Sequence, residues 1–197
     1  MNELFPIYVK LDQIKTLLVG GGPVGLEKLE AVLSNSPRAQ VHLVAERIDA
    51  NVYELIATSP TLTASERAFR VGDLEDVDLI ILATNNPTFN NQIRELARTK
   101  HILLNVADKP SLCDFYLGSV VRKGNLKIGI STNGKSPTIA KRLKEFFDDL
   151  LPEEIDETLT LMSNFRNNLK GDFQEKVRLL NEHTQDFFTK EAYDRKD

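Results

Sequence analysis

Residues 16–33 read Thr16-Leu-Leu-Val-Gly-Gly-Gly-Pro-Val-Gly-Leu-Glu-Lys-Leu-Glu-Ala-Val-Leu33. The stretch opens on a short apolar run that is typical of a buried parallel strand, and the apolar spacing from Val24 to Leu33 predicts a helix. Gly20, Gly22 and Gly25 match the pattern G-x-G-x-x-G. In a strand–turn–helix context this pattern indicates dinucleotide binding, because the helix N-terminus offers free N–H groups and partial positive charge to phosphates. A glycine-rich turn without a ligand is the alternative.

Each of these glycines has its own expected role. The first permits the tight turn, the second lets the backbone approach a pyrophosphate, and the third lets the helix pack closely on the strand. Glu46 follows Gly25 by 21 residues, just past a second predicted strand. A carboxylate there accepts hydrogen bonds from the ribose hydroxyls of NAD and repels a 2′-phosphate, whereas the cation of Arg47 would tolerate NADP. We favour NAD because of the Glu46 carboxylate. The alternative is that Glu46 and Arg47 are a solvated pair of loop residues without a ligand.

Short apolar runs alternate with longer amphipathic stretches through the first hundred residues. Such alternation implies a parallel sheet with helices on both faces. Strands are predicted at 16–19, 41–44, 79–83 and 102–106, with a weak one at 62–70, and helices at 24–33, 50–58 and 87–100.

Composition limits the class of protein. The chain has 197 residues, of which 41% are hydrophobic and 27% charged, as in a globular protein with a real core, which excludes a disordered chain. The net charge of −4 argues against a duplex nucleic-acid binder. Cys113 is the single cysteine and the three histidines are far apart, so neither a disulfide within the chain nor a zinc-ligand pattern is predicted. We expect a cytoplasmic protein with no membrane partner, since apolar runs are short and no secretory signal is recognisable.

The pattern changes after Asp108-Lys-Pro110. Apolar runs at 115–121 and 126–130 flank a polar break, which predicts a hairpin. Ser136 is a favourable N-cap and Pro137 a favourable first residue for the next helix. One face of that helix is apolar, and it carries Ile139, Leu143, Phe146, Phe147 and Leu150. Helical spacing then continues at 155–169 and 173–188. The resulting division is an α/β nucleotide-binding domain at 1–113, a mixed region at 114–151 and a helical region at 152–197.

Residues 115–144 contain seven cations and no acid, which leaves 18 cations against 29 acids in the rest of the chain. Such segregation points to an anionic partner, with a solvated helix face or an acidic protein surface as alternatives. Nucleic acid is disfavoured because interleaved aromatic residues are lacking. The cations are Arg122, Lys123, Lys127, Lys135, Lys141, Arg142 and Lys144.

Asp108 closely follows the last predicted sheet strand, at the carboxyl edge where open α/β sheets bind ligands. A carboxylate near a bound nicotinamide could take a proton as hydride leaves the substrate. Position alone favours the other interpretation, a turn residue before Lys-Pro.

These features, in this order, resemble one family, precorrin-2 dehydrogenase, the N-terminal module of siroheme synthases. The resemblance covers nearly the whole chain, and no single motif decides it. The residues that carry it are Leu4-Phe-Pro-Ile-Tyr8, Leu18-Val-Gly-Gly-Gly-Pro-Val-Gly-Leu-Glu-Lys28, Ala83-Thr-Asn85, Asn105-Val-Ala-Asp108 and Ile130-Ser-Thr-Asn-Gly-Lys-Ser-Pro137.

The resemblance implies an enzyme that oxidises precorrin-2 to sirohydrochlorin with NAD as hydride acceptor. Some members also insert ferrous iron as a second substrate to make siroheme, and nothing in the residues decides that activity. The family fold is an N-terminal Rossmann-type parallel sheet, a central mixed α/β dimerisation region and a C-terminal helical region, assembled as a homodimer. The precorrin-2 macrocycle is rich in carboxylates, which supplies a ligand for the cationic stretch.

The resemblance also implies roles for individual residues. Asp108 would be the catalytic residue, and Thr132 lies where some members have an active-site or regulatory residue. The expected cofactor contacts are Gly20, Gly21, Gly22, Pro23, Val24, Gly25, Glu46, Arg47, Ala83, Thr84 and Asn85. The expected substrate contacts are Ser131, Thr132, Asn133, Lys135, Ser136, Lys141 and Arg142. No protein metal ligands are expected.

Two further alternatives compete with this reading. A non-catalytic NAD-binding redox sensor would use the glycine turn and Glu46, but not Asp108 or the cations. A small-acid dehydrogenase would need a histidine or lysine at the sheet edge, where Lys109 is the nearest candidate. Because the chain ends at Asp197, we also expect it to lack the methyltransferase module of some siroheme synthases and not to make precorrin-2 itself.

Overall fold

A computed structural model describes residues 4–184. These residues fall into two compact units, one within Met1–Val120 and Gly129–Arg142, the other within Val121–Ile128 and Leu143–Asp197. The division predicted at 113 and 151 stays a prediction. In chain order the elements are β1 (Lys15–Gly21), α1 (Pro23–Asn35), β2 (Gln40–Ile48), α2 (Ala50–Ile56), β3 (Leu62–Glu66), β4 (Leu79–Leu82), α3 (Pro87–Lys100), β5 (Leu103–Val106), β6 (Ser119–Lys123), β7 (Leu126–Ile130), α4 (Pro137–Leu150), α5 (Ile155–Asn168) and α6 (Phe173–Thr184).

The first unit is built on a parallel sheet with strand order β3-β2-β1-β4-β5. Successive side chains of a strand point to opposite faces, so β1 sends Leu18 to one face and Leu17 to the other. Leu18 packs in a cluster with Leu29 of α1 and Val52 of α2, and Leu17 packs with Ile93 of α3. Helices therefore cover both faces of the sheet, and the predicted α/β fold with a Rossmann-type parallel sheet is confirmed.

Strand β2 is longer than its apolar run predicts. It continues through Glu46 and Arg47 to Ile48, which pairs with Gly21 across an irregularity in β1. The Ile48 N–H donates to Glu66 Oε1 over 3.0 Å, so β3 holds the end of β2 as well. The expectation that Glu46 lies past the strand is therefore wrong, although it remains near the strand's carboxyl end.

Strands β6 and β7 form the expected hairpin, through the turn at Gly124 and Asn125. In the second unit Asp156, in the first turn of α5, accepts hydrogen bonds from the Asn125 backbone N–H at 2.7 Å and from its side chain at 2.8 Å. Lys123 forms an ion pair with Glu153 just before that helix. These contacts fasten the hairpin turn to the helical segment.

Helix α4 begins as predicted, with Pro137 at its first position and the Ile139 N–H donating to Ser136 Oγ at 3.2 Å. Most of its predicted apolar face is exposed, including Phe146 at 57%. The predicted last helix corresponds to α6, and its residues 185–188 lie outside the described part of the chain. Among residues 4–184, no helix has both the length and the apolar character to cross a membrane.

Candidate functional site

The glycine turn joins β1 to α1 through very close backbone packing. Gly20 has a φ of +122°, and a Cβ added there would overlap the Ala83 carbonyl at the end of β4. A Cβ at Gly25 would overlap the Gly20 carbonyl oxygen, well inside the 3.0 Å that real Cβ atoms keep. Only glycine fits at these positions, because both are packed against backbone that has no room to yield.

Gly22 differs from its neighbours because it faces open space. A Cβ there would meet nothing within 4 Å, and its backbone is ordinary extended chain with φ −93° and ψ −165°. Gly22 caps α1, and among the described residues no side chain bonds the first turn of that helix as a cap. The open approach and the uncapped helix N-terminus fit an anionic group such as a pyrophosphate.

The ends of β2 and β3 carry four charged side chains. Glu46 and Arg47 are exposed. Glu66 is occupied, since it accepts the Ile48 N–H and the Tyr53 hydroxyl. Arg67 binds Asp73 in a bidentate pair of 2.8 and 2.6 Å, and this hydrogen bonding lowers the pKa of Asp73.

The Ala83–Asn85 segment begins where β4 ends. The Ala83 N–H donates to the Val19 carbonyl at 2.8 Å, so the segment starts beside the glycine turn. Thr84 Oγ1 donates to Asn90 Oδ1 at 2.5 Å, and Asn90 Nδ2 returns a bond to the Thr84 carbonyl at 3.2 Å. Asn90 in α3 is only 1% exposed. It therefore fixes the conformation of the segment that follows β4.

Sequence reasoning missed Asn90. The helical spacing does indicate that Asn90 is buried, because it precedes the buried Ile93 and Ala97 by three and seven residues and so shares the inward face of α3. A polar residue on an apolar helix face needs a buried partner. Which partner it has is visible only once the β4 loop lies against that face.

Asp108 lies two residues beyond β5, at the same carboxyl edge of the sheet. Its side chain is exposed and its backbone has a φ of +58°. Ala107 just before it is fixed by donating to the Leu82 carbonyl at 2.9 Å, and the Lys109 N–H after it donates to the Val106 carbonyl at 3.2 Å. Aspartate tolerates this left-handed conformation better than most residues. The site thus presents a carboxylate on a tightly held turn.

The polar loop 131–136 makes a second tight turn in the same compact unit. Asn133 and Gly134 have φ values of +54° and +72°, and the Lys135 N–H donates to the Thr132 carbonyl at 3.1 Å. Thr132 Oγ1 accepts the Ser136 N–H at 3.2 Å, and Ser131 Oγ accepts the Asn133 N–H at 3.2 Å. A Cβ at Gly134 would lie 3.9 Å from a carbon of the Pro110 ring, so this loop adjoins the turn that carries Asp108.

The seven cations of the acid-free stretch are divided between the two compact units. Lys135, Lys141 and Arg142 are exposed and belong to the unit that contains Asp108. Lys123 belongs to the other unit, where its ion pair with Glu153 raises its pKa. Arg122, Lys127 and Lys144 are in that second unit as well. Within residues 4–184, no three histidine, cysteine, aspartate or glutamate side chains converge as a metal site would require.

Comparison with known families agrees with this geometry. Residues 7–119, more than half of the chain, match the family described as "Putative NAD(P)-binding". The chain belongs to this NAD(P)-binding family. Residues 123–150 match a second family, "Sirohaem biosynthesis protein central". The two matches, in this order, confirm the resemblance to the module found in siroheme synthases.

Individual relatives point the same way. The chain is 36% identical over 172 residues to the siroheme synthase of Pseudoalteromonas translucida (strain TAC 125), which covers 87% of this chain and 36% of the relative. It is 35% identical over 173 residues to that of Vesicomyosocius okutanii subsp. Calyptogena okutanii (strain HA), covering 88% of this chain and 36% of the relative. The chain therefore spans about a third of the length of these curated relatives.

A solved structure of SirC, precorrin-2 dehydrogenase, shares the fold. It matches with a TM-score of 0.71 and 24% identity, over 91% of this chain and 88% of that one. At this identity the match supports the architecture: the parallel sheet, the two-stranded region and the helices that follow.

Proposed function

We propose that this protein binds NAD at the carboxyl edge of its parallel sheet and oxidises precorrin-2 to sirohydrochlorin, a step of siroheme biosynthesis. The observation that carries the proposal is the grouping of four segments in one compact unit. These are the glycine turn, the Ala83–Asn85 segment, the Asp108 turn and the polar loop 131–136. The first two suit a dinucleotide, and the last two suit a substrate beside it.

Cofactor contacts follow from the geometry of the turn. Gly22 leaves room for a pyrophosphate, and the N–H groups of Val24 and Gly25 lie in the first turn of α1, where an anion is favoured. The exposed Glu46 would accept ribose hydroxyls and repel a 2′-phosphate. Arg67, which could otherwise attract that phosphate, is already paired with Asp73. The exposed Arg47 would still tolerate a 2′-phosphate, so the preference for NAD rests on the Glu46 carboxylate.

The reaction removes a hydride and a proton from the macrocycle. Bound NAD supplies the hydride acceptor. Asp108 takes the proton that the conjugated system of the substrate releases as the hydride leaves, and returns it to solvent after the product leaves. Its exposed position suits both transfers, and the hydrogen bonds on either side of the turn hold it in place. Holding the hydride donor and acceptor in a reactive geometry lowers the barrier further, because it removes the entropy cost of bringing them together.

Substrate recognition falls to the polar loop and the start of α4. Lys135, Lys141 and Arg142 supply positive charge for the carboxylates of precorrin-2, and an arginine can bind a carboxylate through two parallel hydrogen bonds. The side chains of Ser131, Thr132, Asn133 and Ser136 add polar groups on the same loop. Thr132 Oγ1 and Ser136 Oγ also hold the loop itself.

Three wider features complete the proposal. In a second activity of the same protein, ferrous iron would be the substrate that is inserted into sirohydrochlorin to give siroheme. The exposed apolar face of α4 suits a homodimer, because a second copy would cover it. A cytoplasmic location follows from the role in biosynthesis.

The test is anaerobic incubation of the purified protein with precorrin-2 and NAD, followed by its visible spectrum. We expect sirohydrochlorin to appear with the wild type and at least about 100-fold more slowly with Asp108→Asn. Asparagine is the matched replacement because it keeps the shape and tolerates a positive φ. Unchanged NAD affinity in the variant shows that the loss is chemical. Tight NAD binding without turnover would instead favour the non-catalytic redox sensor, and adding ferrous iron to the product tests the second activity.

A further inference from the structure

The loop that follows β5, residues 107–114, turns back and runs beside β5. Leu104 and Val106 of β5 direct their N–H groups to the open edge of the sheet, away from β4. The Val106 N–H donates to the sulfur of Cys113 at 3.2 Å, and the Leu104 N–H donates to Asp114 Oδ2 at 3.0 Å. Such edge groups would otherwise be unpaired. The side chains of Cys113 and Asp114 therefore accept the hydrogen bonds that a neighbouring strand would otherwise accept.

The sulfur of Cys113 also bonds to the loop in the other direction. Its thiol lies 3.3 Å from the Val106 carbonyl and 3.3 Å from the Lys109 carbonyl, as a donor to either. Burial of the sulfur raises the pKa of Cys113, so the group stays a protonated thiol that can donate and accept. Val106 and Lys109 flank Asp108, so one side chain bonds the backbone on both sides of it.

Neighbouring contacts anchor the end of the loop. Asp114 pairs with Arg94 at 2.5 Å, and its N–H donates to the Leu104 carbonyl at 2.7 Å. Burial tends to raise the pKa of Asp114, but the hydrogen bonds from Arg94 and the Leu104 N–H outweigh it and lower the pKa. Asn105, 6% exposed, donates to the Phe115 carbonyl at 2.8 Å. The far end of the loop is thereby held along β5. Backbone hydrogen bonds also hold the turn itself, and Cys113 adds the side chain that bonds the backbone on both sides of Asp108.

We propose that Cys113 is a positioning residue for Asp108, an inference that rests on the proposed function. Its sulfur holds the backbone at Val106 and Lys109 and so maintains the left-handed turn that places the Asp108 carboxylate at the sheet edge. Cys113 touches neither substrate nor cofactor in this role. A small displacement of a catalytic group is enough to slow a reaction strongly.

The test compares Cys113→Val, which replaces the sulfur with two methyl groups and so adds a little bulk while removing the polar group, with Cys113→Ser, which keeps a donor and an acceptor. We expect the valine variant to lose about tenfold in kcat, with the KM for precorrin-2 and the NAD affinity within about threefold of wild type. We expect serine to retain at least about a third of kcat. Ser111→Ala, in the same loop, is the control and should behave as wild type. A valine variant with wild-type kcat overturns the proposal.

A double variant separates positioning from general damage. If Cys113 acts through Asp108, Cys113→Val should cause almost no further loss in the Asp108→Asn background. An equal tenfold loss in both backgrounds would overturn the proposal. If the valine variant does not fold, Cys113→Ala removes the sulfur without adding bulk and takes its place in the cycle.

Hydrogen exchange distinguishes this proposal from the proposed function. In the valine variant, the Val106 amide should lose at least about tenfold in protection while the amides of β1 and β4 keep theirs. Retained Val106 protection overturns the brace. If the wild type binds NAD but does not oxidise precorrin-2, the proposed function fails and the catalytic role of Cys113 fails with it. Turnover by the wild type with an unaffected valine variant overturns the role of Cys113 alone.

Discussion

Two glycines of the same turn should respond to alanine in opposite ways. Gly22→Ala should leave the fold intact and weaken NAD binding, because its Cβ enters the open space through which a pyrophosphate would approach α1. Gly25→Ala should destabilise the fold, because its Cβ would overlap the Gly20 carbonyl oxygen. The pair separates a glycine required by the ligand from one required by packing.

The magnitudes follow from the local geometry. At Gly22 the extended backbone suits alanine, whose smaller unfolded-state entropy stabilises by about 0.4–1 kcal/mol, and alanine's poorer capping offsets a similar amount. The net change in unfolding free energy should lie within about 1 kcal/mol. At Gly25 the helix must move away from β1, which costs about 1–3 kcal/mol or more. Blocking one hydrogen bond to a phosphate costs about 1.5–3 kcal/mol, or about 10- to 100-fold in NAD affinity.

Urea unfolding and calorimetric titration with NAD measure both quantities. Gly72→Ala is the matched control, since a Cβ at Gly72 also meets nothing within 4 Å but lies outside the turn, and it should change neither stability nor affinity appreciably. A folded Gly22→Ala protein that binds NAD within threefold of wild type would refute the placement of the pyrophosphate at this helix. A fully stable Gly25→Ala protein would refute the packing argument.

Three further perturbations test separate parts of the molecule. Asn90→Ala leaves the Thr84 carbonyl and hydroxyl without their buried partner, so titration should show NAD affinity falling about threefold to tenfold and urea unfolding a loss of about 1–3 kcal/mol. The hydrogen bonds of Arg67 lower the pKa of Asp73 below its ordinary 3.8, so the pair stabilises the fold above that pH and loses its effect as the pH falls below it. The stability gap between wild type and Asp73→Asn in urea unfolding should therefore be present at pH 7 and shrink at pH 3, and a gap that persists would contradict the assignment. For the proposed homodimer, Phe146→Ser removes the most exposed aromatic ring of α4. Light scattering should then give the wild type a mass near twice the 22.2 kDa chain and the variant a mass near one chain, and a variant that keeps the wild-type dimer mass would contradict the placement of the interface on α4.

Local patterns were enough to predict the architecture of the first unit. Buried parallel strands are short apolar runs and their helices have a 3.6-residue apolar period, so β1, β4 and α3 could each be recognised without their neighbours. The start of α4 was equally local, since Ser136 and Pro137 meet the needs of a helix N-terminus by themselves. The same reasoning placed the end of β2 too early, because pairing with Gly21 and Glu66 extends the strand beyond its apolar run.

The sequence by itself therefore determined the succession of strands and helices along the chain and the glycine turn, and it predicted the residues that we propose for a site at the sheet edge. Only the tertiary structure decided how those residues are held. Asn90 acquires its role when the segment after β4 lies over α3, and Cys113 acquires its role when its loop returns to β5. Periodicity records which side of an element is buried, whereas the partner of a buried polar group depends on which distant segment arrives beside it.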